Sequence, residues 1–95
     1  MAAPADNAWA ASYDGVLDQV SVTLENPVLP SGADGWQARA ALASSPTVYS
    51  YAQSGDPTKT LDPTNDGSGT WNVQLAWTVG GVAQDWSNVK QVVVP

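Results

Sequence analysis

The sequence predicts a small all-β protein, and two alternating segments carry most of that prediction. In residues 70–79, TWNVQLAWTV, every second side chain is large and apolar, and the residues between them, Asn72, Gln74, Ala76 and Thr78, fall on the other face. Successive side chains of a strand point to opposite faces, so this pattern is typical of a strand with one buried side. Residues 18–25, DQVSVTLE, alternate in the same way. Turn-forming clusters separate such runs about every ten residues, which favours a β-sandwich.

Size and composition restrict the possible chemistry. The chain has 95 residues and neither cysteine nor histidine. Its length predicts one domain with a thin core. Without cysteine there is no thiol catalysis and no cysteine-ligated zinc or iron–sulfur centre, and without histidine there is no Ser–His pair. The carboxylates fall mostly in loops, and the chain has little volume for a cleft, so we expect neither an enzyme nor a cofactor.

Charge and hydropathy restrict the possible partners. Nine acidic groups face three basic ones, for a net charge of -6. Nucleic-acid binding needs a basic footprint, so no nucleic-acid partner is expected. No apolar run approaches the ~20 residues of a membrane span. The N-terminus lacks the basic and long apolar parts of a secretory signal, and we therefore expect a protein that is not exported by the usual route.

The first 17 residues are predicted to form a flexible arm in front of a sandwich domain over 18–95. A short helix capped by Asp6 or Asn7 is an alternative for part of this arm. Two interpretations of its aromatic residues, Trp9 and Tyr13, stay open. They fold back to cover one end of the sandwich, or they dock on a neighbouring subunit.

The next segments predict a strand and a hairpin. In 18–25 the inward side chains are Val20, Val22 and Leu24, and Asn26-Pro27 ends the strand because proline cannot donate to a ladder. Residues 36–43, WQARAALA, alternate but are also good helix formers. We predict a hairpin of 36–53 in which this run pairs with TVYSYAQ, because its neighbours are strands. A helix over 34–44 remains the alternative.

A long loop, 54–69, follows the hairpin and carries a weak pattern for calcium. It combines two Asp-Pro steps with three glycines, which are turn-forming residues. Closely spaced oxygen ligands suit hard cations, but the spacing does not match an EF-hand. The ordinary interpretation is a solvated turn. The calcium candidates are Asp56, Asp62, Asn65 and Asp66.

The C-terminal third predicts the centre of the sandwich. Trp71, Val73, Leu75, Trp77 and Val79 share one face of the segment 70–79 and are predicted to be core. Gly80-Gly81 predicts a tight hairpin. A return run over 82–85 is interrupted at 86–88, and 89–94 closes the chain as a final strand. That makes six or seven strands, and it fits a single immunoglobulin-like sandwich.

Two of the five tryptophans, Trp9 and Trp86, lie outside clean alternation, and we take them as candidates for a contact surface. Tryptophan is enriched at interface hot spots, whereas the ordinary role of such residues is to cap an end of the sandwich. Residues 89–94 have only Lys90 to guard a strand edge, so this strand is either central or covered by another chain. The candidate partner-binding residues are Trp9, Tyr13, Asp85, Trp86 and Asn88.

The segment GSGTWNVQLAWTV (67–79), the Gly80-Gly81 hairpin and the VKQVVV end resemble the small immunoglobulin-like accessory proteins of tailed phages. This resemblance implies a non-enzymatic virion protein, assembled in the host cytoplasm, that decorates the head or serves as a tail module. Its partner would be the lattice of major capsid or tail protein, with self-association as a further possibility. Two alternatives stay open: a carbohydrate-binding or adhesin module that uses exposed tryptophans, and a calcium-stabilised extracellular module.

Overall fold

A computed structural model describes residues 1–64 and 67–95. It confirms the all-β class, with two packed sheets and, within those residues, no α-helix. A single 3-10 turn over Asp6–Ala8 precedes the first strand and has no side-chain cap. The strands are β1 (Trp9–Asp14), β2 (Gln19–Leu24), β3 (Gly35–Leu42), β4 (Ser50–Ser54), β5 (Gly69–Val79), β6 (Val82–Ala83) and β7 (Lys90–Val94).

The strands form a two-stranded and a five-stranded sheet. β1 and β2 pair antiparallel, and the larger sheet runs β4-β3-β5 with β6 and β7 both on β5. Residue Trp71 pairs with Leu42 on one side and Val92 on the other, so β7 lies on the side of β5 opposite β3. β6 lies on that same side, because Thr78 pairs with both β3 and β6. β6 and β7 thus share one strand position beside β5, and this position is interrupted at 84–89.

The core fills the space between the two sheets. On β2 the predicted inward residues are buried, which confirms that strand. On β5 the predicted alternation holds for Trp71, Val73 and Leu75, whereas Trp77 is only half-buried against the core. The prediction for Val79 is wrong, since it is 42% exposed, and the predicted solvent face is wrong at Ala76 and Thr78, which are buried. The pairing with β3 stops at Thr78, and Val79 pairs only with Val82 of β6, itself exposed, at the Gly80-Gly81 hairpin.

The ambiguous segment 36–43 is a strand, and the predicted hairpin is confirmed. β3 pairs antiparallel with both β4 and β5, which excludes the helical alternative. Its alanines at 38 and 40 are fully buried and let the sheets approach closely. At Gly35 the close contact is with the neighbouring strand of the same sheet, because an added Cβ would lie 2.5 Å from the carbonyl oxygen of Ser54 on β4.

The predicted flexible arm is wrong for most of its length, because β1 is a full strand of the smaller sheet. Its inward residues, Trp9, Ala11 and Tyr13, stand opposite the inward residues of β2. Trp9 is 1% exposed. The Lys90 ammonium donates to the carbonyl oxygens of Asp6 and Trp9 and lies 4.5 Å from the Trp9 ring centroid. These contacts hold the N-terminal segment against β7, so the sandwich begins well before residue 18.

Two connections complete the fold. The long loop after β4 crosses to the smaller sheet, where Leu61 and Val22 exchange backbone hydrogen bonds of 2.8 and 2.9 Å. The Gly80-Gly81 hairpin is confirmed, and both glycines have positive φ, 60° and 76°, as a two-residue turn of this kind requires. No helix in the described ranges is long and apolar enough to cross a membrane.

Candidate functional site

The outer face of the five-stranded sheet differs in charge from the rest of the chain. Its five strands contain no acidic residue, although the chain has nine. Their charged residues are Arg39 on β3 and Lys90 on β7. Lys90 is bound to the N-terminal segment, whereas Arg39 is on the face turned away from the core. A single positive charge therefore marks this face of an otherwise acidic protein.

Three aromatic rings surround that charge. The guanidinium carbon of Arg39 lies 4.1 Å from the ring centroid of Tyr49 and 4.1 Å from that of Trp86. Tyr51 is 54% exposed, and its ring centroid is 6.2 Å from that of Tyr49 and 6.3 Å from that of Trp86. We call these four residues the Arg39 cluster. Cation–π contacts of this kind attract the guanidinium to the ring faces and favour this arrangement.

Hydrogen bonds fix the guanidinium in one orientation. Its Nε–H donates to the Oε1 atom of Gln74 at 3.0 Å, and the Gln74 amide donates to the carbonyl of Ser87 at 2.8 Å. Within the described residues, no protein acceptor and no carboxylate contacts the Nη atoms of Arg39. These unpaired Nη atoms are not buried. The Nη edge of Arg39 is therefore accessible to solvent.

Trp86 reaches this face because it lies in the segment between β6 and β7, where pairing along β5 is interrupted. Ser87, 3% exposed, donates its N–H to the carbonyl of Leu75 at 2.8 Å, and its Oγ accepts from the Leu75 N–H at 2.9 Å. The hydroxyl also donates to the carbonyl of Asn88 at 3.0 Å. Ser87 thus fills the ladder where the strand is broken, and the preceding residue, Trp86, packs over Arg39 on the outer face.

The structure separates the five candidate partner-binding residues. Trp86 belongs to the Arg39 cluster, and Asp85 beside it is exposed. Trp9 is core and has no ring surface to offer a partner, so its prediction as a contact residue is wrong. Tyr13 packs against the core, and its hydroxyl donates to Asp18, which raises the pKa of Tyr13. Asn88 is exposed and donates to the Asp6 carboxylate at 3.3 Å.

Sequence reasoning missed three members of the Arg39 cluster, although the sequence held a signal for them. Arg39 falls on the outward side of the alternation in β3. Tyr49 and Tyr51 share one parity in the partner segment of the predicted hairpin. The register of that hairpin pairs Arg39 directly with Tyr51. The sequence does not specify that register, nor does it show that Trp86 folds across β5.

The calcium candidates in the described part of the loop serve the loop itself. Asp56 accepts hydrogen bonds from the hydroxyl and the N–H of Thr58, at 2.7 and 2.9 Å, and these bonds lower the pKa of Asp56. Asp62 accepts from the N–H of Thr64 at 3.2 Å, while burial raises its pKa. The other two candidates, at 65 and 66, lie outside the described residues. In the remainder, no group of three or more acidic side chains is arranged to hold a metal ion.

Comparison with known proteins adds no relative. No family model matches the chain, and neither a curated protein nor a solved structure does. The function is therefore inferred from this chain's own residues, and chiefly from the Arg39 cluster.

Proposed function

We propose that this chain is a non-enzymatic structural protein of a tailed-phage particle. It binds the repeated lattice of major capsid or tail protein, as a head decoration protein or a tail accessory module. The observation that supports this most is the Arg39 cluster, a group of aromatic side chains around one arginine on the open face of a sheet.

The composition of the cluster suits a protein partner. Tyrosine, tryptophan and arginine are the residues most enriched at interface hot spots. Here they are also held in place before binding. Arg39 is hydrogen-bonded to Gln74, and Trp86 directly precedes Ser87, which is anchored to β5. A side chain that is already ordered loses less conformational entropy when it binds. The cluster therefore supplies a rigid contact surface rather than a catalytic pocket.

A lattice partner suits the small size of the domain. One outer sheet face of a 9.9 kDa domain offers a limited contact area. If a particle presents many identical sites, linked or adjacent copies of this chain can bind several of them at once. Their individually weak contacts then add up through avidity. The β-sandwich architecture, and the resemblance of 67–79, the Gly80-Gly81 hairpin and the VKQVVV end to phage accessory proteins, support the same setting, a virion assembled in the host cytoplasm.

The carbohydrate alternative is weaker on this geometry. A sugar platform needs open, flat ring faces, and the alternative required Trp9 and Trp86 to be exposed and coplanar. Trp9 is buried, and the guanidinium of Arg39 lies over the Trp86 ring. The Tyr51 and Trp86 rings are tilted by 53°, so these two do not form a flat platform either.

Density-gradient banding of a native-source lysate tests the proposal, with mass spectrometry to locate the chain. We expect comigration with particles at a fixed ratio to a shell or tail protein. Purified Trp86→Ala added to particles that lack the chain should bind at least tenfold more weakly. Val28→Thr, a change at a 66% exposed position in the loop after β2, is the matched control and should bind as the wild type does. Wild-type chain that stays at the top of the gradient would contradict the proposal.

A further inference from the structure

We infer that Arg39 is a carboxylate-binding site, which takes the side chain of an aspartate or glutamate on the partner protein. The inference rests on the proposed function and names the chemistry of the partner surface. The partner group would meet the Nη edge of the guanidinium, where a planar fork of N–H donors matches the two oxygens of a carboxylate.

The geometry of Arg39 leaves one direction open for a ligand. The ring of Tyr49 and the ring of Trp86 each lie 4.1 Å from the guanidinium carbon. The Nε–H is used by Gln74. Across the described part of the chain no carboxylate pairs with this arginine, and its Nη atoms reach solvent. An arginine held by rings and an amide, with its bidentate edge free, is prepared for an anion.

The distribution of charge favours a protein carboxylate over other anions. Arg39 is the one formal charge that the strands place on this face, while the chain as a whole carries -6. A polyanion such as nucleic acid needs several cations and would be repelled by the rest of the chain. A single carboxylate on a neutral or basic partner surface meets Arg39 without that repulsion. A second copy of this chain brings another -6 and is disfavoured for the same reason.

The free protein gives the first test. ¹⁵N spectra of the Arg39 Nε–H and the Trp86 indole N–H would be followed during titration with sodium acetate, and with sodium chloride at equal ionic strength. We expect saturable shifts in acetate alone, with a dissociation constant on the order of tens of millimolar, as for one charge-assisted bidentate contact. The indole N–H of Trp36, which donates to the Asp56 carbonyl at 3.0 Å, is the internal control and should not move.

Substitutions at Arg39 distinguish a specific carboxylate site from a general electrostatic attraction of anions. Arg39→Lys keeps the charge but loses the planar fork, and Arg39→Gln loses both. Each variant should lose the saturable acetate shift while the amide spectrum elsewhere stays that of the folded protein. Equal, linear shifts in acetate and chloride, or saturation that survives in Arg39→Gln, would overturn the inference.

Particle binding separates this inference from the proposed function. Both Arg39 variants should bind particles at least tenfold more weakly than the wild type. If Trp86→Ala loses binding while both Arg39 variants bind normally, the carboxylate site is refuted and the docking face stands. If the wild-type chain fails to comigrate with particles on the gradient, the proposed function is overturned. Saturable acetate binding that requires Arg39 would still support the carboxylate site in that case. A dimer in sedimentation that Arg39→Gln dissolves would overturn the choice of a separate partner.

Discussion

Replacing Ser87 with alanine tests how the broken strand is held to β5. The serine hydroxyl accepts the Leu75 N–H at 2.9 Å, and both residues are buried, Leu75 completely and Ser87 at 3% exposure. In Ser87→Ala the amide of Leu75 loses this acceptor in a place that water does not reach. The Ser87 N–H still donates to the Leu75 carbonyl, so the loss is one hydrogen bond and not the whole contact.

The expected cost follows from that unpaired donor. A buried donor left without an acceptor costs about 1–3 kcal/mol. In a domain of this length, 1 kcal/mol lowers the melting temperature by roughly 4–8 °C, so a decrease of about 4–24 °C is expected. Urea unfolding followed by tryptophan fluorescence gives the free energy, and an unchanged m value would show that the folded state has kept its compactness.

Hydrogen exchange localises the effect. The Leu75 amide should exchange faster in Ser87→Ala than the change in global stability explains, because its own hydrogen bond has gone. Ser12→Ala, at an exposed position on β1, is the matched control and should stay within about 0.5 kcal/mol of wild type. The reasoning is refuted if Ser87→Ala loses less than about 0.5 kcal/mol and the Leu75 amide stays as protected as before.

Three further substitutions test other contacts of the fold. Lys90→Met removes the ammonium that binds two carbonyls of the N-terminal segment, including that of Trp9, so we expect a loss of about 1–3 kcal/mol and faster limited proteolysis of residues 1–8. Gly35→Ala forces a Cβ to 2.5 Å from the Ser54 carbonyl oxygen, and thermal melting should show a loss of at least about 1–3 kcal/mol. The Asp34 carboxylate accepts hydrogen bonds that lower its pKa, so its stabilisation is present above the unfolded pKa of about 4 and is lost as pH falls through the folded pKa. Asp34→Asn should therefore be less stable than wild type at pH 7, and urea titrations at decreasing pH should show that difference shrinking; a constant difference would contradict this assignment.

Alternation along single strands was readable from the sequence because burial of one face imposes a period of two. Val20 and Val22 on β2, and Val73 and Leu75 on β5, are buried as this rule requires. The rule failed at Val79, because alternation says which side of a strand a residue takes but not how far the opposite sheet extends. Coverage at strand ends depends on the whole assembly of strands.

The N-terminal strand escaped prediction because its signal is weak. In WAASYD all three outward positions are small or polar, but the inward position between Trp9 and Tyr13 is an alanine, so the alternation in hydropathy is weak. What makes it a strand is pairing with β2 and the contact of Lys90 from the far end of the chain. Such long-range contacts leave no local pattern.

The candidate site was only partly predictable for the same reason. Trp86 stood out because it interrupts an alternating run, and that interruption proved to be structural. Its partner Arg39 is 47 positions earlier on β3, and only the β3-β5 register and the anchoring of Ser87 bring the two together. Side-chain type identified one residue of the site, whereas sheet topology assembled the rest.

The contact between Lys90 and the N-terminal segment also determines when this protein can finish folding during its synthesis. Trp9 leaves the ribosome early, yet the residue that closes over its ring is made more than eighty residues later. Until β7 has emerged, Trp9 lacks the Lys90 contact over its ring, and β5 lacks its neighbour along 69–73. The nascent chain therefore cannot complete its core stepwise. It closes as one unit after translation has passed β7, and truncation before that strand leaves Trp9 without the Lys90 contact and one edge of β5 open to pairing with other chains.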